Sequence, residues 1–229
     1  MSEAADLGVR LVQANARSVW SSFAPLYALV AGVALASGAI SGWLPALIIF
    51  WLKPWLDRTL LFVLSRAVFG TPTRLADVWA AQREVWWRQL GWSLTTRRFS
   101  PWRAYVAPAF QLEGQRGAAW RARRKQLLRG KGGAAFGMHQ VFANFELLLL
   151  LGVMLLAVLL APESARLSIW SAITNDGPIE SLIGNAVYAA VVLLLEPFYV
   201  GAGFAMYLNR RVELEAWDVE QEFRLAFAA

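Results

Sequence analysis

Two of the long apolar runs in this chain carry a charged residue followed by proline. Ile48-Ile49-Phe50-Trp51-Leu52 leads into Lys53-Pro54, and Val192-Leu193-Leu194-Leu195 leads into Glu196-Pro197. A charge inside a run long enough to cross a bilayer is costly, so it faces a partner or a wet cavity. A proline at the same place removes one helical hydrogen bond. Both features point to an integral membrane protein whose charged helices face one another.

Composition agrees. Of 229 residues, 58% are hydrophobic and 12 are Trp, more than a soluble domain of this length carries. Four runs reach the roughly 20 residues that cross a hydrocarbon core. They are 20–40, 43–69, 141–161 and 182–208. Pro54 and Pro197 predict kinks in the second and fourth. Arg10 and Arg17 precede the first run, which reads as an uncleaved span because another span follows at once. The chain has no cysteine, which excludes disulfides, thiolate metal sites and cysteine nucleophiles. His139 is the single histidine, which excludes a multi-histidine metal site.

Loop charge sets the orientation. The stretch 66–131 is rich in arginine and holds only Asp77, Glu84 and Glu113 as acids, whereas 162–181 has Arg166 as its one basic residue. The positive-inside rule then places the central segment and both termini in the cytoplasm. The chain divides into an amphipathic N-terminus (1–19), a first helix pair (20–69) and a basic, Trp-rich cytoplasmic segment (70–138). A second helix pair (139–209) and an acidic amphipathic tail (210–229) follow. Aligning Pro54 with Pro197 pairs the two membrane units. In each, the charge-proline site lies about 20 Å of helix from the cytoplasmic end. The expected fold is therefore all-α: four transmembrane helices as two parallel helix-pair repeats, with amphipathic cytoplasmic helices.

This plan predicts an intramembrane cluster. Lys53 and Glu196 face each other, Asp57 lies one turn from Lys53, and Arg58 sits beside it; these four charges sum to zero. Glu146 lies nearer the cytoplasmic surface and either joins them or snorkels. If Lys53 and Glu196 pair, exchanging their charges together rescues each single exchange.

A helix is expected from Thr73 through Trp92, and a second, basic one over 115–128. Trp86, Trp87, Arg88, Arg121, Arg123, Arg124 and Lys125 are the expected contacts to anionic lipid headgroups. Nucleic acid is not an expected partner, because the positive-inside rule already accounts for the charge. Gly130, Gly132, Gly133 and Gly137 read as a flexible entry to the third span. The acidic tail contributes Glu213, Glu215, Trp217, Asp218 and Glu220 as docking residues, for the basic central segment or a partner protein. Solvation of that face is the other reading.

The end of the chain carries a resemblance. Glu196-Pro197-Phe198-Tyr199-Val200, followed by Tyr207-Leu208-Asn209-Arg210-Arg211-Val212-Glu213-Leu214-Glu215-Ala216-Trp217-Asp218-Val219-Glu220, resembles the end of a family of bacterial multi-span proteins. Gln111-Leu112-Glu113-Gly114-Gln115-Arg116-Gly117 also fits that family. The wider group is similar to the membrane domain attached to some bacterial glycerophosphodiester phosphodiesterases, whose catalytic barrel has no match in this chain. Its members are often encoded beside a MoxR-type ATPase and other envelope proteins. The resemblance implies an accessory subunit of the bacterial inner membrane and supplies no catalytic residues.

Three functions follow. The first is a non-enzymatic scaffold or accessory subunit of an envelope complex, bound to other membrane proteins or to copies of itself. The second is a small oligomeric transporter or lipid-handling protein that uses the charged intramembrane cavity. The third, ranked last, is an intramembrane enzyme with Glu146 or Glu196 as acid or base near His139. No catalytic residue, metal ligand or cofactor is assigned.

Overall fold

A computed structural model of the chain describes residues 2–88, 90–95, 99–174 and 177–215, without the side chains of 168 and 171–174. The described residues are helical throughout, with no strand among them. The helices are α1 (Ser2–Ala14), α2 (Ala16–Ala36, extended by a 3-10 turn Ser37–Ala39), α3 (Leu44–Ala67), α4 (Leu75–Ala80) and α5 (Leu90–Leu94). A π-helical turn, Arg83–Trp87, separates α4 from α5. Then come α6 (Arg103–Gln111), α7 (Gly117–Leu128), α8 (Gly132–Leu160), α9 (Glu163–Thr174) and α10 (Pro178–Glu215).

Three helices are long and apolar enough to cross a membrane: α2 with its extension, α8 and α10. The expected second span corresponds to α3, which has 24 residues. That is about 36 Å of helix, sufficient to span. Lys53, Asp57, Arg58 and Arg66 dilute its apolar character, which separates it from the other three. Both α3 and α10 run through their internal prolines as single helices.

α10 organises the fold. Its 38 residues reach well past a hydrocarbon core, and it packs on α1, α2, α3, α6 and α8. Small residues permit this crowding, because lipid supplies no hydrophobic drive between helices and close backbone approach must substitute. A Cβ at Gly8 would lie 2.2 Å from the Gly201 carbonyl oxygen, and one at Gly201 would lie 2.6 Å from Val12 Cγ2. A Cβ at Gly203 would lie 2.5 Å from Ala104 Cβ. Thus α1 and α6 each meet α10 at backbone distance. Ala4, Gly8 and Val12 recur every four residues and form the buried stripe of α1. Polar side chains pin the rest. The Tyr27 hydroxyl donates to the Ala189 carbonyl at 2.7 Å, and Asn185 donates to the Gly42 carbonyl at 2.8 Å.

α8 behaves differently. Only 6% of its apolar stretch is buried within the chain. Phe145, Leu148, Leu151, Leu155 and Leu159 point outward. A helix that is apolar all round suits lipid as its solvent.

Two expectations require correction. The predicted helix from Thr73 through Trp92 is divided into α4, the π-turn and α5. The π-turn buries the consecutive residues Val85 and Trp86. The glycine-rich entry to the third span is helical: Gly130 has a φ of 71°, after which α8 starts at Gly132.

The α1–α10 crossing is testable with a single introduced thiol. In an Ala4→Cys chain the thiol is expected to react slowly with a soluble maleimide, because Ala4 is 5% exposed. Adding Gly8→Val is expected to raise the rate at least tenfold by lifting α1 from α10. An unchanged rate would contradict the crossing.

Candidate functional site

Five buried or half-buried charges form a chain of alternating sign. Asp57 Oδ2 lies 3.3 Å from Arg103 Nε. Arg103 Nη2 donates to Glu196 Oε1 at 2.6 Å. Glu196 Oε2 lies 3.1 Å from Lys53 Nζ, which donates to Glu146 Oε2 at 2.5 Å. The contributing elements are α3 (Lys53, Asp57), α6 (Arg103), α8 (Glu146) and α10 (Glu196). Lys53, Asp57, Arg103 and Glu196 are all buried, and the Glu146 side chain is 23% exposed. Alternation lets each inner charge contact two opposite ones, as burial requires. The sum is one net negative charge. Arg103 also lies over the Tyr199 ring, 5.0 Å from its centroid, and His139 Nδ1 is 3.1 Å from the Tyr199 hydroxyl.

The structure therefore brings together Lys53, Asp57, Glu146 and Glu196. Arg58 goes elsewhere. Its guanidinium turns to the segment between α3 and α6 and donates to the carbonyls of Arg88 at 2.6 Å and Glu84 at 2.8 Å. The cation beside Asp57 is Arg103, which the sequence reading leaves out of the cluster. One signal pointed to it. Arg103 follows Pro101-Trp102 at the head of an apolar stretch, Ala104 to Phe110, broken by no other charge.

Reciprocal exchange of Lys53 and Glu196 is consequently a poor test of their pairing. A lysine at 196 would meet Arg103, and a glutamate at 53 would meet Glu146. The exchanged pair restores one contact while creating two repulsions.

The other expected residues separate by location. Trp87, Arg88, Arg121 and Lys125 are exposed. Trp86 is 4% exposed and packs on Trp55 and Trp79, its indole donating to Thr59 Oγ1 at 2.9 Å. It belongs to the core rather than to the headgroup surface. Arg124 is half-buried over the rings of Trp102 and Trp120. Arg123 forms ion pairs with Glu113 and Glu215. Its hydrogen bond to Glu113 raises the guanidinium pKa, with burial opposing and Glu215 assisting. Glu213 pairs with Lys131 at 2.8 Å and with Arg210 at 2.7 Å, and Glu215 pairs with Arg211 at 2.6 Å. The described end of the acidic tail thus lies on the chain's own basic segment. Trp217, Asp218 and Glu220 fall outside the described residues. Between α6 and α7, burial pushes the Tyr105 phenol up to about 12, and it donates as a neutral group to the Leu127 carbonyl at 2.9 Å.

Two cavities flank the ion-pair chain. One of about 340 Å³ is lined by Lys53, His139, Glu146, Glu196 and Tyr199. The other, of about 840 Å³, lies beyond Asp57 and opens between α3, α6 and α7. Ser100 and Arg103 line both, so Arg103 forms the wall between them. Among the described residues no group of three or more His, Asp or Glu is placed to hold a metal ion. No protein-family model, curated protein or solved structure matches this chain.

Arg103→Met is expected to lower stability by about 3–5 kcal/mol, because it strands Asp57 in a buried site and leaves Glu196 with Lys53 alone. Adding Asp57→Asn is expected to recover a large part of that loss, since Glu196 keeps Lys53. Denaturant midpoints in mild detergent measure both. Strictly additive losses would show that Arg103 and Asp57 do not interact.

Proposed function

We propose that this chain is a four-span protein of the bacterial inner membrane, with both termini cytoplasmic. Its role is that of a non-enzymatic scaffold or accessory subunit of an envelope complex. The observation that carries this reading is the ion-pair chain. Each of its inner charges is committed to two others, and together they join α3, α8 and α10 to the cytoplasmic helix α6. Such a network suits a frame that holds its parts in one arrangement. Catalysis by Glu146 or Glu196 would require that partnership to break at every turnover.

Counting α3 as a span follows from the same contacts. Lys53 and Asp57 have internal partners, so α3 can enter the membrane without exposing them to lipid. Glu146 lies five residues inside the apolar stretch of α8 that starts at Val141. That depth is about 8 Å, toward the cytoplasmic side. Arg103 reaches the network from the basic segment, in agreement with a cytoplasmic position for α6 and α7. In the repeat reading α2–α3 and α8–α10 are equivalent pairs, and their second members supply Lys53 and Glu196. The family resemblance supports an accessory role beside other envelope proteins, and the tail residues Trp217, Asp218 and Glu220 are the proposed docking points.

Lipid handling is the second reading, favoured by the 840 Å³ cavity with arginines at its walls.

The test is purification of the tagged chain from native membranes into lipid nanodiscs, followed by mass spectrometry. A near-stoichiometric protein partner is expected, and it is lost when 216–229 are deleted. A chain that carries only copies of itself and lipid would overturn the accessory-subunit reading. Single-cysteine labelling from each side would check topology, with 42 expected outside and 2 and 116 inside.

A further inference from the structure

The larger cavity has an uneven distribution of charge. Arg58, Arg103, Arg116, Arg121 and Arg124 line it, against a single acid, Asp57. Arg103 is committed to Asp57 and Glu196. Among the described residues no carboxylate forms an ion pair with Arg58, Arg116, Arg121 or Arg124. Arg116 and Arg121 are exposed, Arg124 is half-buried, and Arg58 is 5% exposed. The cations thus descend from the mouth to the floor.

Arg58 is the unusual member. A buried guanidinium normally has a carboxylate beside it, because burial of an uncompensated charge is expensive. This one has two backbone carbonyls and the face of Phe110, at 5.9 Å from the ring centroid. Its Nε has no hydrogen-bond partner in the protein. Three more buried polar atoms of cavity-lining residues share that condition: Asp57 Oδ1, Ser100 Oγ and Gln111 Oε1. Buried polar atoms are almost always satisfied, so a group of them around one space marks a place where something polar sits.

The remaining wall is apolar. Pro54 and Leu61 of α3, Val106 and Ala107 of α6 and Val200 of α10 contribute to it. Trp92 and Trp120 line it as well, a residue type that favours the headgroup level of a membrane. The volume lies within the range of small-molecule sites and exceeds what a free phosphate would fill.

We propose that this cavity binds one phosphate-bearing anionic lipid. Its phosphate sits between Arg58 and Arg124, and its glyceride portion lies along the apolar wall of α3, α6 and α10. Guanidinium groups suit this ligand because their planar donors match phosphate oxygens. The phosphate supplies the anion that Arg58 lacks. Asp57 opposes an anion, but its charge is already met by Arg103, and the lining as a whole remains strongly positive. The assignment depends on the cavity and not on a partner protein, so it stands or falls apart from the scaffold reading.

The experiment uses the full chain, reconstituted in nanodiscs of phosphatidylcholine and phosphatidylglycerol in equal parts. After transfer to mild detergent, native mass spectrometry counts the lipids that remain bound. One phosphatidylglycerol per chain is expected. Arg58→Gln and, separately, Arg124→Gln are each expected to lower its retention about tenfold, the loss of one charge-assisted contact. Arg116→Gln/Arg121→Gln alters only the exposed mouth and provides a variant whose folding is not at risk; it is expected to reduce retention as well. Lys125→Gln, outside the cavity, is expected to leave retention unchanged. Equal losses in Lys125→Gln and the cavity variants would overturn the site in favour of general surface attraction, as would a wild-type chain that retains no phosphatidylglycerol. In a second arm, glycerol 3-phosphate is added as competitor. Displacement of the lipid by an equal concentration of glycerol 3-phosphate would overturn the lipid assignment and indicate a soluble phosphate ester.

Discussion

The contact between Arg103 and Glu196 holds the two halves of this molecule together. Glu196 lies in the middle of the longest helix, and Arg103 begins the nine-residue helix α6. Their 2.6 Å pairing is buried at both ends. Without Arg103, Asp57 has no cation and Glu196 depends on Lys53 alone. Without Glu196, Lys53 keeps Glu146, but Arg103 loses its closest acid. An isolated charge at this depth costs several kcal/mol. The position of α6 therefore depends on the network as much as on packing.

Packing then makes that pairing reachable. Gly203 lets α6 approach α10 until Ala104 meets its backbone, which brings the adjacent Arg103 to Glu196, two helical turns back along α10. Gly201 does the same for α1 on another side of α10. Small residues on one helix thereby admit a structural helix on one face and the charge-bearing helix on another. The larger cavity is a consequence of this arrangement. α6 is held at its start by Arg103, and Gln111 at its end donates to the Arg58 carbonyl at 2.8 Å. Between these ties α6 cannot collapse onto α3, and the space beneath α7 stays open.

The features that were legible in the sequence share a property: they are anomalies in a strong background. Lys53 and Glu196 stood out because apolar residues surround them, and their opposite signs suggested pairing. The contact of Glu213 and Glu215 with the basic segment was legible for the same reason, since 116–131 holds Arg and Lys but no acid. Arg103 was hidden among many arginines of a basic segment, where its partner lay in tertiary structure. Arg58 is adjacent to Asp57 in sequence yet leaves the cluster, because neighbouring residues on a helix point about 100° apart. Trp86 departs in a similar way. Tryptophans beside arginines read as a headgroup layer, yet the π-turn rotates Trp86 inward to Thr59. Local register decides such cases, and composition does not carry it.

A chain of charges is an unexpected means of holding membrane helices, because apolar side chains of equal volume often stabilise a buried site as well or better. The bilayer supplies a reason for it. Lipid tails are as apolar as leucine, so burying leucine between two helices distinguishes one helix rotation from another only weakly. Alternating charges distinguish them strongly. Turning α3 by one residue, about 100°, would carry Lys53 away from both Glu146 and Glu196 and leave three charges uncompensated. Sliding α8 by one turn, about 5.4 Å, would separate Glu146 from Lys53 and return the carboxylate to lipid. The network thus gains little in absolute stability and much in the penalty for every competing arrangement. Its physical contribution is register. That property keeps the cavity between α3, α6 and α7 open beside helices that would otherwise pack in several ways.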